Sequence, residues 1–272
     1  MNQTEKNDWL NDFLAPKNFV SSHESFRVAL GLPEESFPSI RYINLSGKYL
    51  WLLTIEASEE NWETIKNNLD KNQAYNLINS RFEEYLNVLL YSPEKMSCFS
   101  YKSYNSNYED TDGNGLREKL KEELKSIDVN IGTSKEENKS LNDNFQKWTR
   151  ENLSMYCVIN DFDAVFLTNK EGEKCIIYEL KRVGEDIVTW EPYTDETRNY
   201  QRVNDISSKL GFNNFTIAYN VKSTETFAVH YNIKPQVNQI TGTRIIYDVK
   251  NNQYIKTSKK SYVSKRKRQK RI

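Results

Sequence analysis

Two stretches place ionisable side chains where a buried strand should stay apolar. In MYCVINDFDAVFLT, residues 155–168, the acids are Asp161 and Asp163; in KCIIYELKR, residues 174–182, Glu179 and Lys181 follow the apolar run Cys175, Ile176, Ile177, Tyr178. Side chains alternate along a strand, so Glu179 and Lys181 share a face with Cys175 and Ile177. Asn169, Lys170, Glu171 and Gly172 read as a turn. A hairpin pivoting about Glu171 sets Asp163 opposite Glu179 and Asp161 opposite Lys181, and a slip of one residue moves the acids to the other face. In that register the β-carbons of Asp163 and Glu179 lie about 5 Å apart, and two carboxylates so close repel unless a cation or a proton relieves them. Hard oxygen ligands in a small acidic cluster favour Mg²⁺, with Mn²⁺ as a substitute, bound through one or two carboxylates plus a substrate phosphate. Lys181 would orient or deprotonate an attacking water, or steady charge on the phosphate. These parts describe metal-assisted phosphodiester hydrolysis. A solvent-facing strand with a cross-strand acid–base ladder explains Glu-Leu-Lys alone without any chemistry. The Asp at hairpin distance and the apolar flanks on both strands add the weight. Asp161 shares parity with Asp163 and competes with it as the ligand. Asp163 is preferred, because the Ala-Val-Phe after it reads as strand interior while Asn160 and Asp161 read as a polar entry.

The elements that must position these residues follow from periodicity. DWLNDFLA predicts a short helix, SIRYINLS and KYLWLLTIEAS a hairpin turning at Ser46 and Gly47, and NWETIKNNLD a short helix. AYNLINSRFEEYLNVLLYS sets Tyr75, Ile78, Phe82, Tyr85, Leu86 and Leu89 at three-to-four spacing, which predicts one long helix. Residues 93–115 lose periodicity and predict a long loop. Helices follow over LREKLKEELKSI and LNDNFQKWTRENL, separated by the polar break NIGTSKEENKS. Beyond them come strands NFTIAYNV and ETFAVHYNI, the hairpin TRIIYDVKNNQYIKT, and one interrupting helix, DETRNYQRVNDISSKLGF, that stops at Gly211. Within the loop, DTDGNG matches the first half of a calcium loop, but its twelfth position is Lys121 instead of a bidentate Glu, and turn chemistry explains it.

The order helix, strand with Asp, strand ending Glu-X-Lys, helix, strand resembles the PD-(D/E)XK nuclease superfamily, the fold of many restriction endonucleases. It runs here through NFQKWTRENL, INDFDAVF, IIYELKR, TRNYQRVNDISSKL and FTIAYNV, roughly residues 140–222. Phe162 stands where the family name has Pro. The resemblance implies Asp163, Glu179 and Lys181 as catalytic residues, with Asp163 and Glu179 binding metal and Glu151 of the preceding helix adding a looser third ligand. Tyr200 and Gln201 on the following helix are accessory candidates in an unusual arrangement, as is Asp161. The expected fold is α/β of the α+β kind, a central mixed sheet flanked by helices. Its parts are an N-terminal α+β region for recognition or dimerisation (1–100), a loop and connecting helix (101–139), the nuclease core (140–255) and a basic tail (256–272). The implied activity is that of a Mg²⁺-dependent endodeoxyribonuclease, most like a type II restriction enzyme acting on double-stranded DNA as a homodimer. The alternatives are a structure-selective phage, repair or transposition nuclease and a non-catalytic nucleic-acid-binding protein on the same scaffold.

Composition sets outer bounds. The 272 residues suffice for one large domain or two small ones, and net charge is zero. The last seventeen residues hold nine Lys or Arg and no acid, leaving 29 basic against 38 acidic residues elsewhere. Such a tail suits phosphate binding, with Lys265, Arg266, Lys267, Arg268, Lys270 and Arg271 as the contacts. Cys98, Cys157 and Cys175 lack metal-ligand spacing, no apolar run approaches the roughly 18 residues that span a bilayer, and the N-terminal residues lack the pattern of a signal peptide. A reduced, cytoplasmic protein without a membrane span is expected. Two histidines, His23 and His230, and no Gly-rich phosphate loop leave few parts for other catalytic plans.

Overall fold

The computed structural model describes residues 8–45, 47–82, 86–94, 96–104, 106–124, 144–153, 157–220, 223–255 and 258–267. Contacts divide the chain into two compact units, one built on Phe19–Phe162 and the other on Thr4–Asn18 with Asp163–Ile272. Each holds a mixed sheet with helices, so the fold is α+β. Among the described residues no helix is long and apolar enough to cross a membrane.

The chain opens with α1 (Asp8–Leu14), which belongs to the second unit, and then runs through the first. There β1 (Phe19–Val20) and α2 (Glu24–Ala29) precede the hairpin β2 (Phe37–Leu45) and β3 (Lys48–Glu56), followed by α3 (Trp62–Leu69), α4 (Gln73–Arg81) and β4 (Leu86–Tyr91). The hairpin β5 (Cys98–Lys102) and β6 (Glu109–Asp112), then α5 (Gly113–Glu123), α6 (Asn144–Asn152) and β7 (Val158–Asp161), complete it. The sheet order is β6-β5-β4-β3-β2-β7, with β3 and β4 parallel and the other pairs antiparallel. Leu50 and Leu52 of β3 pack with Leu116 and Leu120 of α5 and with Phe145 and Trp148 of α6. Trp51, on the opposite face, meets Phe82 at the end of α4. Burial on both faces explains why β3 reads as an unbroken apolar run.

Two expectations are corrected here. The long helix over 74–92 ends at Arg81, and LNVLLY becomes β4, all six residues buried beside β3. A continuous apolar run of that length also carries helical spacing, and periodicity alone does not separate the two; Tyr85 lies outside the described residues. The loop expected over 93–115 contains a hairpin, β5 with β6, and the start of α5. Asp112 is the N-cap of α5, its Oδ1 accepting from the Gly115 N–H at 2.7 Å, and Asp110 accepts from Ser100 and Lys66. DTDGNG is thus a strand end and a helix cap.

In the second unit, β8 (Ala164–Phe166), β9 (Ile176–Arg182), α7 (Thr197–Leu210), β10 (Asn213–Asn220), β11 (Ser223–Gln236), β12 (Gln239–Asp248), β13 (Gln253–Tyr254) and β14 (Lys260–Ser264) follow in order. β8 to β12 are neighbours in sequence order, and both β13 and β14 pair with β12. β9 and β10 are parallel, joined by α7, while the remaining pairs are antiparallel. A parallel pair needs such a crossover. α7 ends as expected at Gly211, φ 68°, with Phe212 N–H donating to Ser207 O at 2.8 Å and Gly211 N–H to Ser208 O at 3.3 Å, the bond pair of a Schellman cap. α1 sets Trp9 against Tyr219, and Phe13 against Phe227 and Tyr247. On the other face Val183, Ile187 and Trp190 pack with Ala218, Ala228 and Ile246.

The basic tail expected over 256–272 is a strand in its first part, β14, held on β12 through Gly242 opposite Tyr262. A Cβ at Gly242 would stand 2.4 Å from the Tyr262 hydroxyl oxygen and 2.7 Å from its Cζ. Gly242→Ala is therefore expected to cost about 1–3 kcal/mol of stability, read as a lower denaturant midpoint. An unchanged midpoint would mean that Tyr262 is not packed against β12.

Candidate active site

The hairpin β8–β9 pairs Ala164 with Tyr178, Val165 with Ile177 and Phe166 with Ile176. Carried one residue further, this register sets Asp163 opposite Glu179, and the Leu180 N–H donates to Asp163 Oδ2 at 2.6 Å. Gly172, at φ 78°, supplies the left-handed residue in the connecting turn. Registered neighbours share a face, so the row continues from Glu179 through Thr216 of β10 and His230 of β11 to Arg244 of β12. Lys181 begins the next row, which is otherwise small or apolar: Ala218, Ala228, Ile246.

Lys181 Nζ lies 2.8 Å from Glu179 Oε1 and 3.7 Å from Glu196 Oε2. Burial beside the apolar row would lower its pKa, but the carboxylates of Glu179, Glu196 and Asp163 outweigh that and raise it above the ordinary lysine value, so Lys181 is an ammonium at neutral pH. Glu196 is only 9% exposed and also accepts from the Tyr200 hydroxyl at 3.2 Å. Burial and the carboxylates of Glu196 and Glu179 push the Tyr200 hydroxyl well above its usual pKa, which keeps it a neutral donor. Further along the polar row, His230 is fully buried, with Nδ1 3.3 Å from the Tyr262 hydroxyl oxygen and its ring edge-on to Trp190. Burial, reinforced by the Arg244 charge, pushes its pKa down to about 3.

Asp163, Glu179, Lys181 and Tyr200 are thus brought together. Asp161, two residues before Asp163, ends β7 in the first unit, opposite Arg41 of β2. The strand expected over MYCVINDFDAVFLT breaks because Phe162 is buried at 3% exposure among Tyr42, Trp51 and Phe82, with its N–H on Ile40 O at 2.9 Å. The division between units accordingly falls after Phe162 and not at residue 140. α6 belongs with the first unit, where Phe145 and Trp148 enter its core. Glu151 lies on the exposed side of that helix and lines a groove of about 560 Å³ with Asp112, Asn114, Lys147 and Trp148. Gln201 is exposed on α7. Lys265 and Lys267 are exposed, whereas the Arg266 guanidinium pairs with Glu185 and lies over the Tyr193 ring; Arg268, Lys270 and Arg271 fall outside the described residues. Glu196 was not singled out from the sequence, because an acid at the start of a helix is ordinary complementation of the helix dipole. Its spacing of four from Tyr200, in line with the buried stripe, was the available signal.

No family model, curated protein or solved structure matches this chain.

Among the described residues no three or more His, Cys, Asp or Glu side chains form a group that could by itself hold a metal ion. Asp163 and Glu179 offer hard oxygen donors from paired positions. Two carboxylates are what Mg²⁺ takes from a protein when waters and phosphate oxygens complete its octahedron, so the donor set fits an open Mg²⁺ site and not a closed cage. The set also accommodates Mn²⁺, which prefers the same ligands.

Proposed function

We propose that this protein is a Mg²⁺-dependent endodeoxyribonuclease that hydrolyses phosphodiester bonds in double-stranded DNA, in its most specific form a restriction endonuclease. The observation that supports the reading is the register of β8 on β9, Ala164 with Tyr178, which continued by one residue sets Asp163 against Glu179, with Asp163 Oδ2 accepting from Leu180 N–H and Lys181, a half-buried cation, 2.8 Å from Glu179. Asp163 and Glu179 would hold Mg²⁺, which when bound supplies Lewis-acid polarisation of the phosphoryl oxygen and a water of lowered pKa. As an ammonium, Lys181 serves the phosphate by neutralising charge that builds toward the transition state, in preference to taking a proton from water. Glu196 and Tyr200 fix where that charge stands. The exposed Lys265 and Lys267 suit contacts to the DNA backbone, which position without reading sequence. Cutting both strands calls for one site per strand, hence a homodimer.

Incubation of the protein with several plasmids, with Mg²⁺ or with EDTA, beside an Asp163→Asn variant, tests the reading. Discrete Mg²⁺-dependent fragments, lost in the variant, are the expected result, and diffuse nicking would instead mark a structure-selective nuclease. Folded protein that cuts neither DNA nor RNA and binds neither Mg²⁺ nor Mn²⁺ would exclude an enzyme of this class.

A further inference from the structure

The turn that carries Glu196 has weak local support. Thr194–Glu196 is a single 3-10 turn leading into α7, and neither Tyr193 at the N-cap of the turn nor Glu196 at the N-cap of the helix makes a side-chain capping bond. Uncapped helix starts leave backbone N–H groups to be satisfied by other means.

Here those means come from the segment after β14. The carbonyl of Arg266 accepts two hydrogen bonds from Thr194, at 2.7 Å from its N–H and 2.9 Å from Oγ1. The Arg266 guanidinium pairs with Glu185, and Tyr193, lying beneath it, donates its hydroxyl to Glu185 Oε1 at 3.1 Å. Thr194 in turn accepts at its carbonyl from Thr197 Oγ1 at 2.7 Å, tying the turn to α7. Two residues beyond Thr194, Glu196 faces Lys181 and Tyr200.

We propose that residues 265–267 are a strap that positions Glu196, and through it Lys181, so that Arg266 is a positioning residue of the site and not a phosphate contact. This rests on the nuclease reading, since it assigns the strap a part in that reaction. Loss of the strap should therefore slow turnover without weakening substrate capture. A phosphate contact does the reverse: its loss raises KM and flattens the salt dependence.

The test uses the full chain with Arg266→Ala, Arg266→Lys and Thr194→Val. Arg266→Ala is expected to lower kcat about tenfold, equivalent to about 1.4 kcal/mol of transition-state stabilisation, with KM within about twofold of the parent. Arg266→Lys should recover part of that loss. Thr194→Val, which removes one of the two bonds to the Arg266 carbonyl, should move kcat in the same direction. Amide hydrogen exchange at residues 194–196 reads the strap independently of catalysis, and an acceleration of about tenfold is expected in Arg266→Ala. A parent protein that cuts no DNA would remove the proposed function while the exchange result still stands for the strap. Unchanged exchange at 194–196, or an Arg266→Ala variant that raises KM alone, overturns the inference.

Discussion

Lys181→Met is expected to lower Mg²⁺-dependent cleavage by about two to three orders of magnitude, the scale on which removal of one preorganised electrostatic partner acts. Met keeps the length and apolar stem of Lys, so packing against Ala218 is retained and the charge alone is lost. The same change should destabilise the fold. It strips the shared cation from Glu179 and Glu196, whose side chains are only 26% and 10% exposed. Removing one partner of a buried ionic group costs about 3–5 kcal/mol, and the lower end applies here because Glu179 keeps part of its side chain in water. Cleavage assays run well below the melting temperature of the variant separate the two effects. A folded Lys181→Met that cuts like the parent would show that the lysine has no part in the chemistry. In the parent protein the raised pKa of Lys181 has a definite sign. Its stabilising contribution is complete below the unfolded lysine value and is lost only as pH climbs through the still higher folded value. No loss of stability from this group is therefore expected between pH 7 and about 10.

A second large effect belongs to His230. Its folded pKa of about 3 lies below the value of about 6.5 of an exposed histidine, so the neutral ring is what the fold stabilises. That contribution is present above pH 6.5 and is lost as pH falls from there toward 3, amounting to roughly 3 kcal/mol by pH 4. His230→Phe fills the same space between Trp190 and Tyr262 but cannot take up a proton. Denaturant midpoints at pH 7.5, 5.5 and 4 should fall steeply for the parent and less for the variant, after allowance for the lost bond to Tyr262. Parallel decline of the two would mean that the ring is not held neutral.

The register of the β8–β9 hairpin was legible because its determinants are local. A turn ending in Gly172 and alternation on both strands leave few pairings, and the observed pairing of Ala164 with Tyr178 is the one whose continuation by a residue sets Asp163 against Glu179. The competition between Asp161 and Asp163 was not decidable in the same way, since parity treats them alike. What separates them is Phe162, drawn into an aromatic cluster with residues more than a hundred positions earlier in the chain, Tyr42 and Trp51 among them. No local pattern encodes that partner. The packing of α6, which carries Glu151, was illegible for a related reason: the helix is amphipathic, but which sheet its apolar stripe covers depends on β3 and α5, distant in sequence. Glu196 was hidden by respectability, as an acid where helices ordinarily carry acids.

The side chains of the proposed site, Asp163 through Tyr200, come from one hairpin and the crossover that follows it, whereas the strap reaches them from 72 residues away, Thr194 to Arg266. A chain made from its N-terminus, at about 5–20 residues per second, presents the carboxylates and the lysine several seconds before Arg266 exists. The strap then closes the longest loop in this assembly, after β10, β11, β12 and β14 have been added. Newly made protein would thus hold all its acids and bases near their places while lacking the last contact that fixes Glu196, and synthesis itself would order the appearance of activity.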